Sequence, residues 1–354
     1  MKIFITGATG FVGQAVTAAA MEQGHSVRAV VRPSSDAAGL QAWVGHERFE
    51  TASVDLRDRP ALVEALRGTD TVIHLAATKA GDFYSQFAGT VVSTENLLLA
   101  MAEANVKELV GVSTFSVYEY LETKPNTLID EDSKLVVNMD LRDEYTETKM
   151  IQEELYNIFG RVENNRVVIL RPGMIFGSGE LWHSLLGSPL GPRFLRIGSS
   201  STLPMTYVDN CADAIVAAAD KLSEEPSTVN GEVINIVDDN LPTQKEYAEM
   251  VSKVIETPKS VTVPWPVVRI ASGGIKMANQ KLVGGRAKFP GIAVPDRLHA
   301  RFKPLRYTNA KAKHLLGWSP RITIEDAINK SAELERQSKR DSSSIAPTSG
   351  STDD

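Results

Sequence analysis

The opening thirteen residues, MKIFITGATGFVG, constrain this chain more than any other stretch. Lys2 to Thr6 is short and apolar, with β-branched Ile3 and Ile5, the composition of a strand. Gly7, Gly10 and Gly13 follow, and the run from Gln14 to Gln23 is rich in helix formers. Strand, glycine turn and helix in that order predict a cradle for a dinucleotide pyrophosphate. Gly7 permits the tight turn, Gly10 lets the backbone approach the phosphates, and Gly13 lets the helix pack on the strand. The helix N-terminus supplies free N–H groups and a partial positive charge. A glycine turn by itself is often an ordinary strand–helix connection, and the spacing here is G-x-x-G-x-x-G rather than G-x-G-x-x-G. Its position directly after a strand sharpens the reading.

The rest of the N-terminal half repeats that rhythm. Strands are expected at His25–Val31, Arg48–Val54, Thr71–Ala76 and Lys107–Val112, with helices at Arg59–Arg67 and Ser85–Asn105 between them. Strands alternating with helices predict βαβ units, hence an α/β fold with a doubly wound parallel sheet and right-handed crossovers. Ligands of such sheets bind at the carboxyl ends of the strands. Arg32 stands at one such end, with no carboxylate until Asp36. An acidic residue there would suit the ribose hydroxyls of NAD, and a basic one the 2′-phosphate of NADP. The expectation is therefore NADP, with NAD as the alternative. A solvated surface arginine is the plainer explanation.

The fifth strand ends in Ser113-Thr114-Phe115-Ser116-Val117-Tyr118, which places hydroxyls where chemistry would occur. An acid-rich loop leads to a helix expected over Leu141–Phe159. On it Tyr145 and Lys149 are four apart and share one face. An ammonium beside a phenol lowers its pKa from near 10, so Tyr145 could pass a proton to or from a substrate oxygen. A tyrosine and a lysine at this spacing are usually just an exposed helix face. The order of parts, from glycine turn to hydroxyl-ended strand to this helix, favours chemistry.

Composition bounds the remainder. Length, 354 residues, suggests about two domains, and an apolar content of 42% supports a sizeable core. A net charge of −6 gives no electrostatic reason to expect nucleic acid. Cys211 is the only cysteine, so an internal disulfide is excluded and a reducing, cytoplasmic setting is expected, with Cys211 as a packing residue. No run of 18 apolar residues suggests a membrane span, and no metal-ligand motif stands out. The Ser-rich stretch from Gln337 to Asp354 reads as a disordered tail.

Taken together, the glycine turn, STFSVYE and YTETK resemble the extended short-chain dehydrogenase/reductase family, also called the NAD-dependent epimerase/dehydratase family. The resemblance continues in LRPGMIFG from Leu170, YVDNCADA from Tyr207 and LLGWSP from Leu315, and runs to about Ala332. It implies a Rossmann-like domain over residues 1–176, a smaller C-terminal substrate lobe over 177–336 with some elements returning to the core, and a tail over 337–354. It also implies that Thr114 binds the reacting oxygen, Tyr145 is the acid/base and Lys149 supports it and holds the cofactor ribose. Cofactor contacts are implied from the Gly7–Gly13 turn, Phe11 and Val12 included, from Asp55 and Leu56 at the adenine, from Ala76 behind the nicotinamide ribose and from Pro172 near the nicotinamide. Thr90 stands where the family often has Asn, so a water relay through that position can differ here.

Relatives acting on nucleotide sugars usually carry an arginine just before the YVDD-like stretch, which clamps the diphosphate. Leu203 takes that place here. The nearer likeness is to the 3β-hydroxysteroid dehydrogenase and ketone reductase branch, which implies a secondary alcohol or ketone on a largely apolar small molecule. Two alternatives stay open: an epimerase or dehydratase of a nucleotide sugar, and a dinucleotide-sensing regulator without turnover. A homodimer is compatible with either enzyme reading. The run from Pro264 to Val283 reads as an amphipathic helix that either covers the substrate cleft or docks as an ordinary packing helix, with membrane-surface contact a remote third.

Overall fold

The computed structural model describes residues 1–139, 142–198, 200–283 and 295–344. Its centre is a seven-stranded sheet in which every neighbour pair is parallel. The strands come from β1 (Lys2–Thr6), β2 (Ser26–Val31), β3 (Phe49–Ser53), β4 (Thr71–His74) and β5 (Glu108–Val112). A two-residue β6 (Leu128–Ile129) lies outside this sheet, and β7 (Arg166–Pro172) and β12 (Val233–Ile236) complete it. The order is β12-β7-β5-β4-β1-β2-β3, so the direction of winding reverses beside β1. That reversal opens a crevice at the carboxyl ends, the place where such sheets hold dinucleotides.

Helices cover both faces because the central strands are apolar on both. On one face α1 (Phe11–Glu22) packs against α6 (Val208–Ser223) over Ile3, Ile5, Val110 and Leu170. On the other, α2 (Arg59–Leu66), α4 (Ser93–Glu103) and α5 (Glu144–Gly160) bury Phe4, Val72, Leu109 and Tyr156. The single long helix expected over Ser85–Asn105 is three pieces: α3 (Phe83–Phe87), a π-helical segment at Ala88–Val92, and α4. In that segment the Thr90 hydroxyl accepts from the Thr78 backbone at 3.0 Å, and Ser93 donates to the Gly89 carbonyl at 2.7 Å. The sequence places α5 from Leu141; its cap is Asp143, which accepts from the Thr146 backbone at 3.0 Å, and Leu141 itself lies outside the described residues.

The lobe is built from β8 (Met174–Phe176) paired with β11 (Met205–Tyr207), and from β9 (Gly187–Leu190), β10 (Arg193–Ile197) and β13 (Ser260–Val263). Helices α7 (Gln244–Ser252), α8 (Trp265–Val283), α9 (Pro295–Phe302), α10 (Ala310–Leu316) and α11 (Ile324–Ser344) complete it, with β14 (Arg306–Tyr307) paired to β6. Elements of both halves interleave: β12 joins the main sheet, and α6 packs on it. The expected tail from Gln337 is corrected in part. α11 continues to Ser344, because Gln337, Lys339 and Arg340 sustain a helix that Ser-rich composition alone argues against. The rest of that tail, 345–354, lies outside the described residues.

Candidate active site

The glycine turn sits at the crevice, and contacts rather than composition explain two of its residues. Gly7 has φ +69°, and a Cβ there would lie 3.0 Å from the backbone nitrogen of Ala76. A Cβ on Gly13 would lie 2.1 Å from the Gly7 carbonyl oxygen, which no side chain can occupy. Gly10 is the N-cap of α1 and has no side chain to satisfy the helix's first N–H groups. A backbone cradle that any Cβ would fill, at an uncapped helix start, fits a pyrophosphate. Phe11 is exposed and Val12 half-buried at this helix start, and the Phe11 ring packs against Gly177.

Further along the same edge the corner at the ends of β2 and β3 is charged. Arg32 is exposed at the end of β2. Asp55 is held bidentate by Arg57, at 3.0 and 2.7 Å, and these bonds, with the charges of Arg57 and Arg32, depress its carboxyl to about 2. Arg57 was not expected from the sequence, and it leaves this corner with two cations to one anion. Arg28, the other basic residue of β2, is committed to Glu50 and to the carbonyls of Ala65 and Arg67. Leu56 is buried beneath Asp55 in the apolar layer, and Pro172 ends β7 in the sheet's core.

Thr114 and Tyr145 meet across the crevice, close enough for the Thr114 hydroxyl to favour the ionised phenol. Two devices fix that meeting. Thr114 caps the turn Phe115–Val117 by accepting from the Ser116 backbone at 3.2 Å. Arg142 then donates to the Ser116 and Tyr118 carbonyls, at 2.6 and 3.1 Å, and pins the start of α5 onto that turn. Deeper in, Arg171 of β7 forms a buried ion pair with Glu153 of α5, with bonds of 2.9 and 2.7 Å. Together they set where Tyr145 stands.

Lys149 departs from expectation. Spacing predicts that its ammonium depresses the Tyr145 phenol, but Nζ donates to the Val112 carbonyl at 2.6 Å and to Gln152. Burial therefore dominates at Tyr145 and pushes the phenol up to about 12, the Thr114 hydroxyl opposing and the Asp143 charge adding to the rise. Burial also pulls Lys149 down to about 7, against the Glu153 charge and with that of Lys79.

Beneath Lys149 lies a buried polar chain that sequence reading missed. Gln152 donates to Thr94 at 2.8 Å and lies 3.3 Å from His74 Nε2. His74 Nδ1 is 2.6 Å from the hydroxyl of Thr6, the last residue before the glycine turn. Burial and the Lys149 charge hold His74 neutral, down to about 3. The one legible signal was a histidine inside the apolar run TVIHLA. Cys211 is fully buried and burial raises its thiol, which fits a packing role. Among the described residues no cluster of three or more His, Cys, Asp or Glu converges as a metal site.

A parallel sheet with a dinucleotide cradle at its reversal, and a phenol and hydroxyl converging beside it, defines a nicotinamide-dinucleotide-dependent enzyme. The chain belongs to the NAD-dependent epimerase/dehydratase family, whose sequence model matches residues 3–236. Its relatives include the 3β-hydroxysteroid dehydrogenase/Δ5→4-isomerase of Mycobacterium tuberculosis, 27% identical over 343 residues, covering 92% of this chain and 88% of the relative. The mouse sterol-4-alpha-carboxylate 3-dehydrogenase, decarboxylating, is 26% identical and covers 96% and 92%. Among solved structures, UDP-glucuronic acid 4-epimerase from Bacillus cereus superposes with a TM-score of 0.70 at 22% identity, over 95% of this chain and 99% of that one, a likeness of fold.

Proposed function

We propose that this protein reduces a ketone, or oxidises the matching secondary alcohol, on a largely apolar small molecule. The observation that carries the reading is the Thr114–Tyr145 hydroxyl pair beside the cradle. A bound nicotinamide supplies or accepts hydride at the substrate carbon. The chain's own residues handle the oxygen. Tyr145, protonated at neutral pH because burial holds its pKa high, donates to the carbonyl oxygen, and Thr114 steadies that oxygen. The proton leaves the phenol as the oxygen gains charge, and Thr114, which favours the ionised phenol, steadies the phenolate left behind, while Lys149 stays on the Val112 carbonyl and Gln152. Gly7, Gly10, Gly13, Phe11 and Val12 hold the pyrophosphate side, Asp55 and Leu56 the adenine side, and Ala76 and Pro172 flank the nicotinamide. Two things support an apolar substrate. Leu203 is buried in the lobe's core, where relatives acting on nucleotide sugars carry an arginine. The full-length relatives are named as steroid and sterol dehydrogenases. Tyr145→Phe should keep cofactor binding and lose turnover by at least about a hundredfold. Wild-type turnover from a folded variant overturns the mechanism, and turnover of nucleotide sugars without net cofactor consumption overturns the substrate class.

The cofactor is assigned as NADP in preference to NAD. Arg32 and Arg57 outnumber Asp55 at the ribose corner. A guanidinium meets a phosphate with two parallel donors, and such charge-assisted bonds contribute about 1.5–3 kcal/mol, roughly ten- to more than a hundredfold in affinity. Tryptophan quenching should show tighter binding of NADPH than NADH, with Arg32→Asp erasing or reversing the difference. Equal or NADH-favouring affinity in the wild type removes this assignment. The groove between α4 and α5 is assigned to self-association.

A further inference from the structure

We propose that Gln152 is a positioning residue that holds the Lys149 ammonium at the floor of the crevice, with Thr94 and His74 fixing its amide. These side chains come from α5, α4 and β4, and none is more than 3% exposed. Hydrogens can be assigned along the chain from one end to the other. The Thr94 hydroxyl donates to the Thr90 carbonyl at 2.5 Å, so its oxygen is left to accept. It accepts from Gln152 Nε2 at 2.8 Å and from His74 Nε2 at 2.9 Å. His74 therefore carries its hydrogen on Nε2, and Nδ1 accepts from the Thr6 hydroxyl at 2.6 Å. The Thr6 oxygen accepts in turn from the Ala76 backbone at 3.3 Å. With Nε2 committed to Thr94, Oε1 of Gln152 faces Lys149 and accepts from its ammonium. A flipped amide would set two donors against each other at Lys149 and two acceptors at Thr94, so the orientation is fixed from both ends.

The places this chain joins are those the reaction needs held together. Thr6 is the last residue of β1 before Gly7, and Ala76 follows β4. Val112, whose carbonyl takes a second Lys149 hydrogen at 2.6 Å, ends β5 two residues before Thr114. The same bonds thus fix a cation relative to the glycine turn, Ala76 and Thr114. Apolar side chains would fill this layer without the desolvation cost of buried polar groups. An ammonium has three hydrogens, and the third of Lys149 has no partner among the described residues, which leaves it for a cofactor ribose. Other ionisable groups face Lys149: Glu153 on α5, paired with Arg171 of β7, Lys79 after β4, and Tyr145 one turn back along α5. None of them hydrogen-bonds to its Nζ; Gln152 is the side chain that does. The inference rests on the proposed use of a nicotinamide cofactor at this crevice, and its test needs no turnover.

Urea unfolding of the full chain without cofactor reads the protonation of Lys149. Burial holds it down to about 7, and an unfolded lysine titrates near 10.4. The folded state binds fewer protons between those values, so stability rises with pH across that window, and the rise begins at the folded midpoint. Gln152→Leu removes the acceptor and should lower that midpoint by about one pH unit or more, and Gln152→Glu places a carboxylate there and should raise it by about as much. Thr94→Val, which frees the amide, should lower it by less. Lys303, held down to about 8, and Asp238, pushed up to about 6, are common to every variant and cancel. NADPH affinity by tryptophan quenching should fall about tenfold or more in Gln152→Leu at neutral pH and return in Gln152→Glu. A purely structural role lowers the melting temperature of the variants and leaves the midpoint where it was, and that result overturns the proposal. So does a Gln152→Glu midpoint at or below that of the wild type. If Gln152→Leu does not fold, Gln152→Glu and Thr94→Val decide the matter. Midpoints that move as stated, alongside wild-type turnover in Tyr145→Phe, would overturn the reaction and leave the positioning intact.

Discussion

His74 shows how a single buried side chain ties the site to the fold. Its two ring nitrogens are taken by Thr6 and by Thr94 and Gln152, and Gln152 also holds Lys149. Burial keeps it neutral in the folded protein down to about 3, whereas in the unfolded chain it titrates near 6.5. The folded state therefore binds fewer protons between those values. The contribution of His74 to stability is full above pH 6.5 and is lost as pH falls toward 3. His74→Asn should remove up to one proton from the pH dependence, about 1.4 kcal/mol per pH unit in that window. Urea unfolding of both proteins at several pH values between 4 and 7, on the order of one pH unit apart, reads this slope. His183 and His299, also held low by burial, are common to both proteins and cancel in the difference. Identical slopes would mean that His74 is not the proton-excluding group described.

At the scale of elements, the β1–turn–α1 unit has the least tolerance for change. A Cβ at Gly13 falls within 2.1 Å of the Gly7 carbonyl, and backbone cannot swing aside as a long side chain can. Gly13→Ala should cost about 1–3 kcal/mol, the usual range for overpacking, and should weaken cofactor binding more than Gly45→Ala weakens it. Gly45 has open space around it, so its cost comes from its left-handed φ of +89° alone. Thermal melts with and without cofactor separate the two. The turn was legible because each glycine answers a local demand that spacing expresses. That Tyr145 and Lys149 share a helix was legible from their spacing, but that Lys149 turns to the Val112 carbonyl and Gln152 instead of the phenol was not. Gln152 and His74 were not, since they meet only when β4 and α5 pack. The π-helical segment after α3 was hidden too: Ala88–Val92 has ordinary helical composition, and the departure appears in the backbone.

At the scale of the whole molecule, one exposed apolar groove carries a prediction about self-association. The groove between α4 and α5, about 470 Å³, is lined by Leu98, Leu99, Leu155, Ile158 and Val162 together with Glu95, Glu163 and Lys107. Both signs within one patch let it complement a second copy of itself, as a two-fold interface requires. Leu99, Ile158 and Val162 are exposed by 42%, 50% and 56%, too much aliphatic surface on adjacent helices for a face meant for water. Two such helices from each protomer would form a four-helix contact, with each Ile158 buried against its partner. Each fully buried aliphatic side chain contributes about 1.5–3 kcal/mol, and it appears twice across a two-fold axis. A glutamate placed there would add paired desolvated charges. Light scattering after gel filtration should therefore find a dimer for the wild type and a monomer for Ile158→Glu. Tyr145 lies on the same helix, so the monomer's cofactor affinity reports whether α5 keeps its position without the partner. A wild-type monomer at micromolar concentration, or a dimer that survives Ile158→Glu, would remove this face from consideration.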